Sequence, residues 1–286
     1  MPRACVVYWI LLVGGLIPAG GSAQNGEAAL LSDQYSVQFT ESATNSSNAE
    51  VQHRLGYTAP ASKYKIANES FRTIVPASYS TNERWGLLVW ISPGNDAWIP
   101  SDWTAELEAH RLLFVGANKT GNNRAPVDRA RLALDATANM LRQYKIDRRR
   151  VYIGGFSGGA RVASILGVSY PDIFAGALCI CGVDFYQYVP AASGGYYTIT
   201  YVPNARPLAV AKQSSRFVLL TGESDMNRQN TKDVLEKGFQ YNRFRNVLYL
   251  EVPGMGHAIP SAAYLKHALD FLIETNQSRG VSLSRH

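Results

Sequence analysis

One serine lies between glycines where a predicted strand changes to a predicted helix. The sequence VYIGGFSGGARVA at positions 151–163 places Ser157 at this point. Apolar, β-branched residues before Ser157 favour a strand and helix formers follow it, so the serine would occupy a sharp turn that only small neighbours permit. The backbone N–H of Gly158 would then point to where an oxyanion forms. The pattern predicts a nucleophilic serine, with a plain helix cap as the alternative.

A serine hydroxyl needs a neighbouring imidazole to accept its proton. Among the five histidines, His257 is in a glycine-rich loop directly after the last predicted strand, residues 247–252. From such a loop a side chain can reach the carboxyl edge of a sheet, so His257 is the predicted general base. The other histidines lie at a strand start, inside the last predicted helix or near the chain ends.

A carboxylate should orient this imidazole. The segment TGESD at positions 221–225 follows the predicted strand 217–220, and Asp225 is the predicted acid. Glu223 and Asp184 remain alternatives, and a turn or a helix cap would explain any of the three without catalysis.

Composition and charge narrow the class of protein. The chain has 286 residues, a charged fraction of 17% and a net charge of +6, which is typical of a globular protein. Its basic residues are scattered, apart from three arginines at positions 148–150 that we interpret as a solvated turn. No nucleic-acid partner is therefore expected.

The N-terminal residues have the pattern of a secretory leader. Arg3 supplies a positive charge, residues 6–17 form an apolar stretch too short to span a bilayer, and residues 21–23 are a small-residue cleavage site. We predict a signal peptide over residues 1–23, a secreted or periplasmic protein, and no membrane span in the mature chain.

Two further segments are predicted after the leader. Residues 24–62, rich in Ser, Asn, Ala and Glu, are predicted to be mobile, with an edge strand near residues 35–39. Residues 63–286 are the predicted catalytic domain, in which strands alternate with helices. This alternation predicts an α/β fold with a mostly parallel central sheet and helices on both faces. The predicted helices are 127–144, 231–241 and 260–274, besides the one after Ser157.

Cys179 and Cys181 lie two residues apart on a predicted strand. Their side chains would point the same way and be poorly placed to bridge each other, so two buried free thiols are expected. Histidine and cysteine spacings show no metal-binding pattern, and neither a metal nor a cofactor is expected.

Together these features resemble the α/β-hydrolase superfamily, and within it the secreted esterases of the polyhydroxybutyrate depolymerase and feruloyl esterase type. The chain order Ser157, Asp225, His257 is that of α/β-hydrolases. The resemblance implies the α/β-hydrolase fold and two-step acyl transfer, without fixing the substrate. The matching features are the strand ending in Val75-Pro76, the strand 87–91, the elbow 155–159, the acid loop 221–225 and the base loop 256–257.

The loop after the third strand departs from the pattern of that family. The family usually has His-Gly there, whereas this chain has Ser92-Pro93-Gly94. Pro93 has no N–H, so the second oxyanion donor must come from Gly94 or Asn95. We expect the backbone N–H groups of Asn95 and Gly158 to form the oxyanion hole.

Aromatic residues are frequent in two loops predicted near the serine. A stacking surface there would suit an aromatic acyl group, a sugar-linked ester or a polyester chain, and packing within a large loop is the alternative. The candidate substrate-binding residues are Trp98, Trp103, Tyr186 and Tyr188, with Tyr196 and Tyr197 in the same segment.

The sequence therefore predicts a serine carboxylic ester hydrolase that acts on a small-molecule or polymeric ester through an acyl-enzyme. Two alternatives remain: a serine peptidase of the prolyl-oligopeptidase type, which shares the triad order, and a catalytically weak binding protein on a hydrolase scaffold. The substitution of Ser92-Pro93 for His-Gly is compatible with the last alternative. The oligomeric state is not indicated.

Overall fold

Ten strands form a central sheet and a small ribbon in the computed structural model, which describes residues 32–57 and 64–274. These residues belong to one unit, Leu31–His286. The strands are β1 (Ser32–Val37), β2 (Phe71–Val75), β3 (Trp85–Ile91), β4 (Leu112–Ala117), β5 (Ile146–Phe156), β6 (Gly176–Ile180), β7 (Val189–Pro190), β8 (Tyr196–Tyr197), β9 (Arg216–Gly222) and β10 (Asn246–Val252).

Eight strands pair in the order β1-β2-β4-β3-β5-β6-β9-β10, and β7 pairs with β8 in a separate ribbon. β1 and β2 pair antiparallel with their neighbours, and the strands from β4 to β10 in this order are parallel. All seven residues of β3 are buried, as expected for a central strand covered on both faces. The predicted mostly parallel sheet is confirmed.

Helices cover both faces of this sheet. One face packs α1 (Asn48–Leu55), α3 (Pro126–Gln143) and α4 (Gly158–Ser169), and the other packs α2 (Trp103–Ala109) and α7 (Ala262–Ile273). The remaining helices are α5 (Ala205–Ser214) and α6 (Arg228–Asp233), and α6 continues as a π-helical segment, Val234–Gln240.

Two helices had no clear signal in the sequence. α2 buries only Trp103 and Leu107, and α5 buries only Ala211. So few buried positions do not mark a continuous buried face, and these helices depend on the surfaces against which they pack.

Residues 32–57 form regular elements, although the composition of residues 24–62 predicts mobility. β1 pairs with β2 at the sheet edge, and α1 buries Val51 and Leu55 in the core. The predicted edge strand is therefore present as β1, whereas α1 differs from the predicted mobility of the segment. The predicted signal peptide, residues 1–23, lies outside the described residues.

A buried carboxylate on α3 explains why residues 43–46 are held. Asp135 is fully buried and accepts hydrogen bonds from the backbone N–H of Ala43 (2.7 Å), Ser46 Oγ (2.5 Å) and Tyr64 Oη (2.5 Å). A buried carboxylate is costly unless donors surround it. Asp135 therefore ties the N-terminal segment to the core, a contact that composition alone does not reveal.

Cys179 and Cys181 are both free and buried, which confirms the predicted thiols. Among residues 32–57 and 64–274, the structure contains no helix with the length and apolar character needed to cross a bilayer.

Candidate active site

Ser157 lies on a strained turn between β5 and α4. Its backbone has φ 55° and ψ −122°, a conformation that a residue with a side chain rarely adopts. The turn is held because the Ser157 N–H donates to the carbonyl of Ile180 at 2.8 Å. Ser157 is also the N-cap of α4, so its hydroxyl stands at the positive end of the helix.

Glycines permit the close approach of three segments around this turn. A Cβ at Gly159 would overlap the carbonyl oxygen of Ile91 at the end of β3. A Cβ at Gly182 would lie 2.5 Å from the carbonyl oxygen of Ser157. The turn is therefore wedged between β3 and the loop after β6, and larger residues would displace the serine.

His257 brings its imidazole to the serine from the loop after β10. Its Nε2 lies 2.9 Å from Ser157 Oγ, and the ring lies 5.0 Å from that of Phe156, centroid to centroid. The imidazole is thus within proton-transfer distance of the hydroxyl.

Asp225 completes this arrangement from the loop after β9. Its Oδ1 lies 2.6 Å from His257 Nδ1, and its side chain is fully buried. Burial alone would raise the pKa of this carboxyl, but hydrogen bonds from His257, the backbone N–H of Asn227, Thr221 and Cys181 outweigh burial and hold the pKa below its usual value. Asp225 therefore remains a carboxylate that can stabilise an imidazolium.

The two alternative carboxylates face other partners. Glu223 accepts from the backbone N–H of Gly254 at 2.9 Å, and Asp184 pairs with Arg161 at 2.7 Å. Arg161 also donates to Asn227 at 3.3 Å. Among the three candidates, Asp225 is the carboxylate with a hydrogen bond to His257.

The thiol of Cys181 lies beside the acid. Ligand atoms of Cys181, Asp225 and His257 lie within 4.8 Å of one another, the kind of cluster that can hold a metal ion. Burial raises the pKa of this thiol to about 12, so it is protonated near neutral pH, and its single S–H proton has two acceptors within reach, Asp225 and the carbonyl of Ala258 (3.4 Å). Within this cluster, Asp225 Oδ1 and His257 Nδ1 already bond each other at 2.6 Å, which is the hydrogen bond of the candidate triad.

The loop after β3, residues 92–97, is fixed by hydrogen bonds from two other segments. Thr120 Oγ1 and Arg129 Nη2 each donate to the carbonyl of Ser92 at 3.1 Å. Arg129 is buried, and burial lowers the pKa of its guanidinium to about 10. Its Nε atom is buried without a hydrogen-bond partner among the described residues. Sequence analysis missed Arg129, although a charged residue on the apolar side of a predicted helix is a signal.

The predicted oxyanion donors differ in their hydrogen bonding. Gly94 N–H donates to Ser92 Oγ at 3.1 Å. Within the described residues, the backbone N–H groups of Asn95 and Gly158 donate no hydrogen bond. Both of these remain available, so the predicted pair is still a proposal.

The four aromatic candidates divide into two groups. Trp98 is 57% exposed and Tyr188 is 67% exposed, so both are accessible to a ligand. Trp103 is fully buried, donates from Nε1 to the carbonyl of Pro260 at 3.0 Å, and packs edge-on against Trp90. Because Trp103 is buried, it is not accessible to a substrate, and the predicted contact is wrong.

Tyr186 also differs from its prediction. Its side chain is buried among Phe185, Tyr201 and Phe244, and its hydroxyl bonds Asn242 Oδ1 at 3.1 Å. It fills the core beneath the loop after β6, so it is not a wall of the site.

Comparison with solved structures identifies the fold. A feruloyl esterase module from Clostridium thermocellum, determined with sinapinate, superposes with a TM-score of 0.54 at 15% identity, over 90% of this chain and 99% of that chain. A ferulic acid esterase from Anaeromyces mucronatus, in complex with ferulic acid, has a TM-score of 0.54 at 16% identity, over 74% and 86%. The chain has the α/β-hydrolase fold.

Sequence comparison relates this chain to esterases. Residues 116–197 match the family described as esterase PHB depolymerase. Poly(3-hydroxyalkanoate) depolymerase C of Paucimonas lemoignei is 33% identical over an alignment of 100 residues that covers 30% of this chain. The aligned part spans about a quarter, 24%, of the length of that relative. The predicted resemblance to esterases of the polyhydroxybutyrate depolymerase and feruloyl esterase type is confirmed.

Proposed function

We propose that this α/β-hydrolase is a serine carboxylic ester hydrolase that acts through Ser157, His257 and Asp225. The observation that carries the proposal is the continuous chain of hydrogen bonds from the Ser157 hydroxyl, on its strained turn, through His257 to the buried Asp225 carboxylate. The relationship to esterases supports ester substrates over peptides.

The reaction begins when Ser157 Oγ attacks the ester carbonyl carbon and its proton passes to His257 Nε2. The carbonyl π electrons move to the oxygen, and backbone N–H groups at Gly158 and Asn95 stabilise the resulting oxyanion. Collapse of this intermediate breaks the bond to the alcohol oxygen, which takes the proton from His257. Asp225 holds the imidazole in the required tautomer throughout.

Water then attacks the acyl-enzyme. His257 accepts a proton from that water, a second oxyanion forms, and collapse releases the carboxylic acid and returns the proton to Ser157 Oγ. These steps need only the side chains and backbone groups described above.

The substrate class remains broad. Trp98 and Tyr188 are exposed aromatic rings that fit an aromatic acyl group, a sugar-linked ester or a polyester chain. We further propose that the enzyme is secreted, on the evidence of the predicted leader.

The decisive experiment measures hydrolysis of short and medium p-nitrophenyl esters and of a feruloyl ester by the native chain, Ser157→Ala and His257→Ala. We expect kcat to fall by roughly four to six orders of magnitude in both variants. Matched amide substrates test the peptidase alternative. A native protein that hydrolyses no ester and is not labelled by a fluorophosphonate would favour the binding-protein alternative.

A further inference from the structure

The oxyanion side of the site contains a side-chain amide that the mechanism does not use. The loop after β4, residues 118–125, lies against the loop after β3. Two backbone hydrogen bonds join them: Lys119 N–H donates to the carbonyl of Asn95 (2.7 Å), and Asn122 N–H donates to the carbonyl of Pro93 (3.0 Å). Asn122 is therefore held in a fixed position relative to the loop after β3, residues 92–97, which we call the oxyanion loop.

The carboxamide of Asn122 lies over Gly158, the first residue of α4. The three atoms nearest to the position of a Gly158 Cβ are Asn122 Oδ1, Cγ and Nδ2, and Nδ2 is 3.0 Å from that position. A Cβ there would overlap the amide oxygen. A side chain at position 158 would therefore displace the Asn122 carboxamide from its place over the start of α4.

The carboxamide has hydrogen-bonding capacity to spare. It makes no hydrogen bond within the described residues, and Asn122 is exposed at the wall of an open cavity of about 490 Å³ that Pro93 and Asn95 also line. A carboxamide carries two N–H donors. Since Pro93 offers no N–H and Gly94 N–H is bonded to Ser92 Oγ, the oxyanion loop has fewer free backbone donors than its length would allow.

We propose that the Asn122 carboxamide donates a hydrogen bond to the oxyanion beside Gly158 N–H, a role that rests on the proposed ester hydrolysis. An amide donor aimed at developing charge stabilises the transition state more than the ground state. It therefore acts on kcat and leaves KM nearly unchanged. Rotation about the last side-chain bond sets which end of the amide faces the substrate.

The test compares Asn122→Ala and Asn122→Asp with Asn123→Ala, a neighbour that lines the same cavity. For Asn122→Ala we expect kcat on a p-nitrophenyl ester to fall roughly 100-fold, with KM within about threefold of the native value. Asn122→Asp should be less active still at neutral pH, because its carboxylate repels the oxyanion, whereas Asn123→Ala should stay within about threefold of native.

Thermal unfolding of each variant separates catalysis from folding, since a merely structural Asn122 would lower stability and leave kcat unchanged. The isosteric aspartate variant provides the test if the alanine variant does not fold. Equal kcat values for Asn122→Ala and Asn123→Ala in an active native enzyme would overturn the inference. A native protein without esterase activity would instead overturn the proposed function.

Discussion

The two sides of the site are held by different kinds of contact. On the side of the proposed triad, which we call the triad side, the loops after β5, β9 and β10 present Ser157, Asp225 and His257, and each loop directly follows its own strand. On the oxyanion side, the loops after β3 and β4 are fixed by donors from elsewhere, including Arg129 of α3. The triad side thus depends mainly on local strand-to-loop geometry, and the oxyanion side on contacts between distant segments.

This difference follows from the topology. The carboxyl ends of parallel strands meet at one sheet edge, so a side chain just after each strand reaches the same place. The oxyanion loop contains a proline and an exposed glycine, and its internal hydrogen bond, from Gly94 N–H to Ser92 Oγ, does not determine where the loop lies against the rest of the chain. Tertiary hydrogen bonds to the Ser92 carbonyl supply that constraint.

The largest effect is expected where the two sides touch. In Gly159→Ala the new Cβ would overlap the carbonyl oxygen of Ile91, so the elbow and β3 must separate. We expect kcat/KM to fall roughly 100-fold or more, with a lower midpoint of thermal unfolding. Gly94→Ala is the matched control, because its nearest neighbour, Ser92 Oγ, would be 3.7 Å away. Equal tolerance of both substitutions would contradict the tight packing of the elbow.

A smaller loss is expected from Arg129→Met, which removes a donor to the Ser92 carbonyl. The displaced oxyanion loop should lower kcat about tenfold. Stability should change little, because removing a buried cation also removes its desolvation cost. Arg131→Met is the control on the same helix, since Arg131 Nε donates to the carbonyl of Ser46 at 2.7 Å and holds the N-terminal segment. If both variants lower kcat equally, the effect is not specific to the oxyanion loop.

Thr221→Val probes the triad side. Thr221 Oγ1 donates to Asp225 Oδ2 at 2.7 Å, so its loss should raise the pKa of Asp225 and lower the free energy of unfolding at pH 7 by about 1 kcal/mol. A carboxyl whose pKa is lowered by folding stabilises the protein at pH values above its pKa in the unfolded chain, which is near 3.8. This contribution is lost as the pH falls through the pKa of the folded state.

The difference in free energy of unfolding between the native protein and Thr221→Val, measured with urea, should therefore be largest at pH 7 and decrease below about pH 4. Thr221→Ser keeps a hydroxyl and should resemble the native protein. A pH-independent difference would mean that the hydroxyl acts by packing and not through Asp225.

The smallest effect is expected from Trp98→Ala on the oxyanion side. Loss of an exposed ring should raise KM for a feruloyl ester about threefold and leave kcat unchanged, because a stacking contact is made equally in ground and transition states. Tyr241→Ala is the control, since this ring is 80% exposed and lies before the start of β10, whereas Trp98 follows the carboxyl end of β3. An unchanged KM in Trp98→Ala would remove this ring from the proposed binding surface.

Much of the fold was predictable because its signals are local. The strand β3 and the amphipathic helix α3 are recognisable from their apolar residues. β3 ends at Ile91 as predicted, and α3 begins and ends within a residue of the predicted limits. The helices α1, α2 and α5 were not predictable. Their stability comes from surfaces such as the buried Asp135, which are distant in sequence.

The sequence by itself determined the serine on its glycine-rich turn, the histidine loop and the chain order of the three candidate triad residues, because strand, glycine and helix signals are short-range. Only the tertiary structure brought Asp225, and not Glu223 or Asp184, to the imidazole. It also buried Trp103 and Tyr186 and fixed the oxyanion loop. These outcomes depend on which segments pack together, and a side chain's type does not reveal its neighbours.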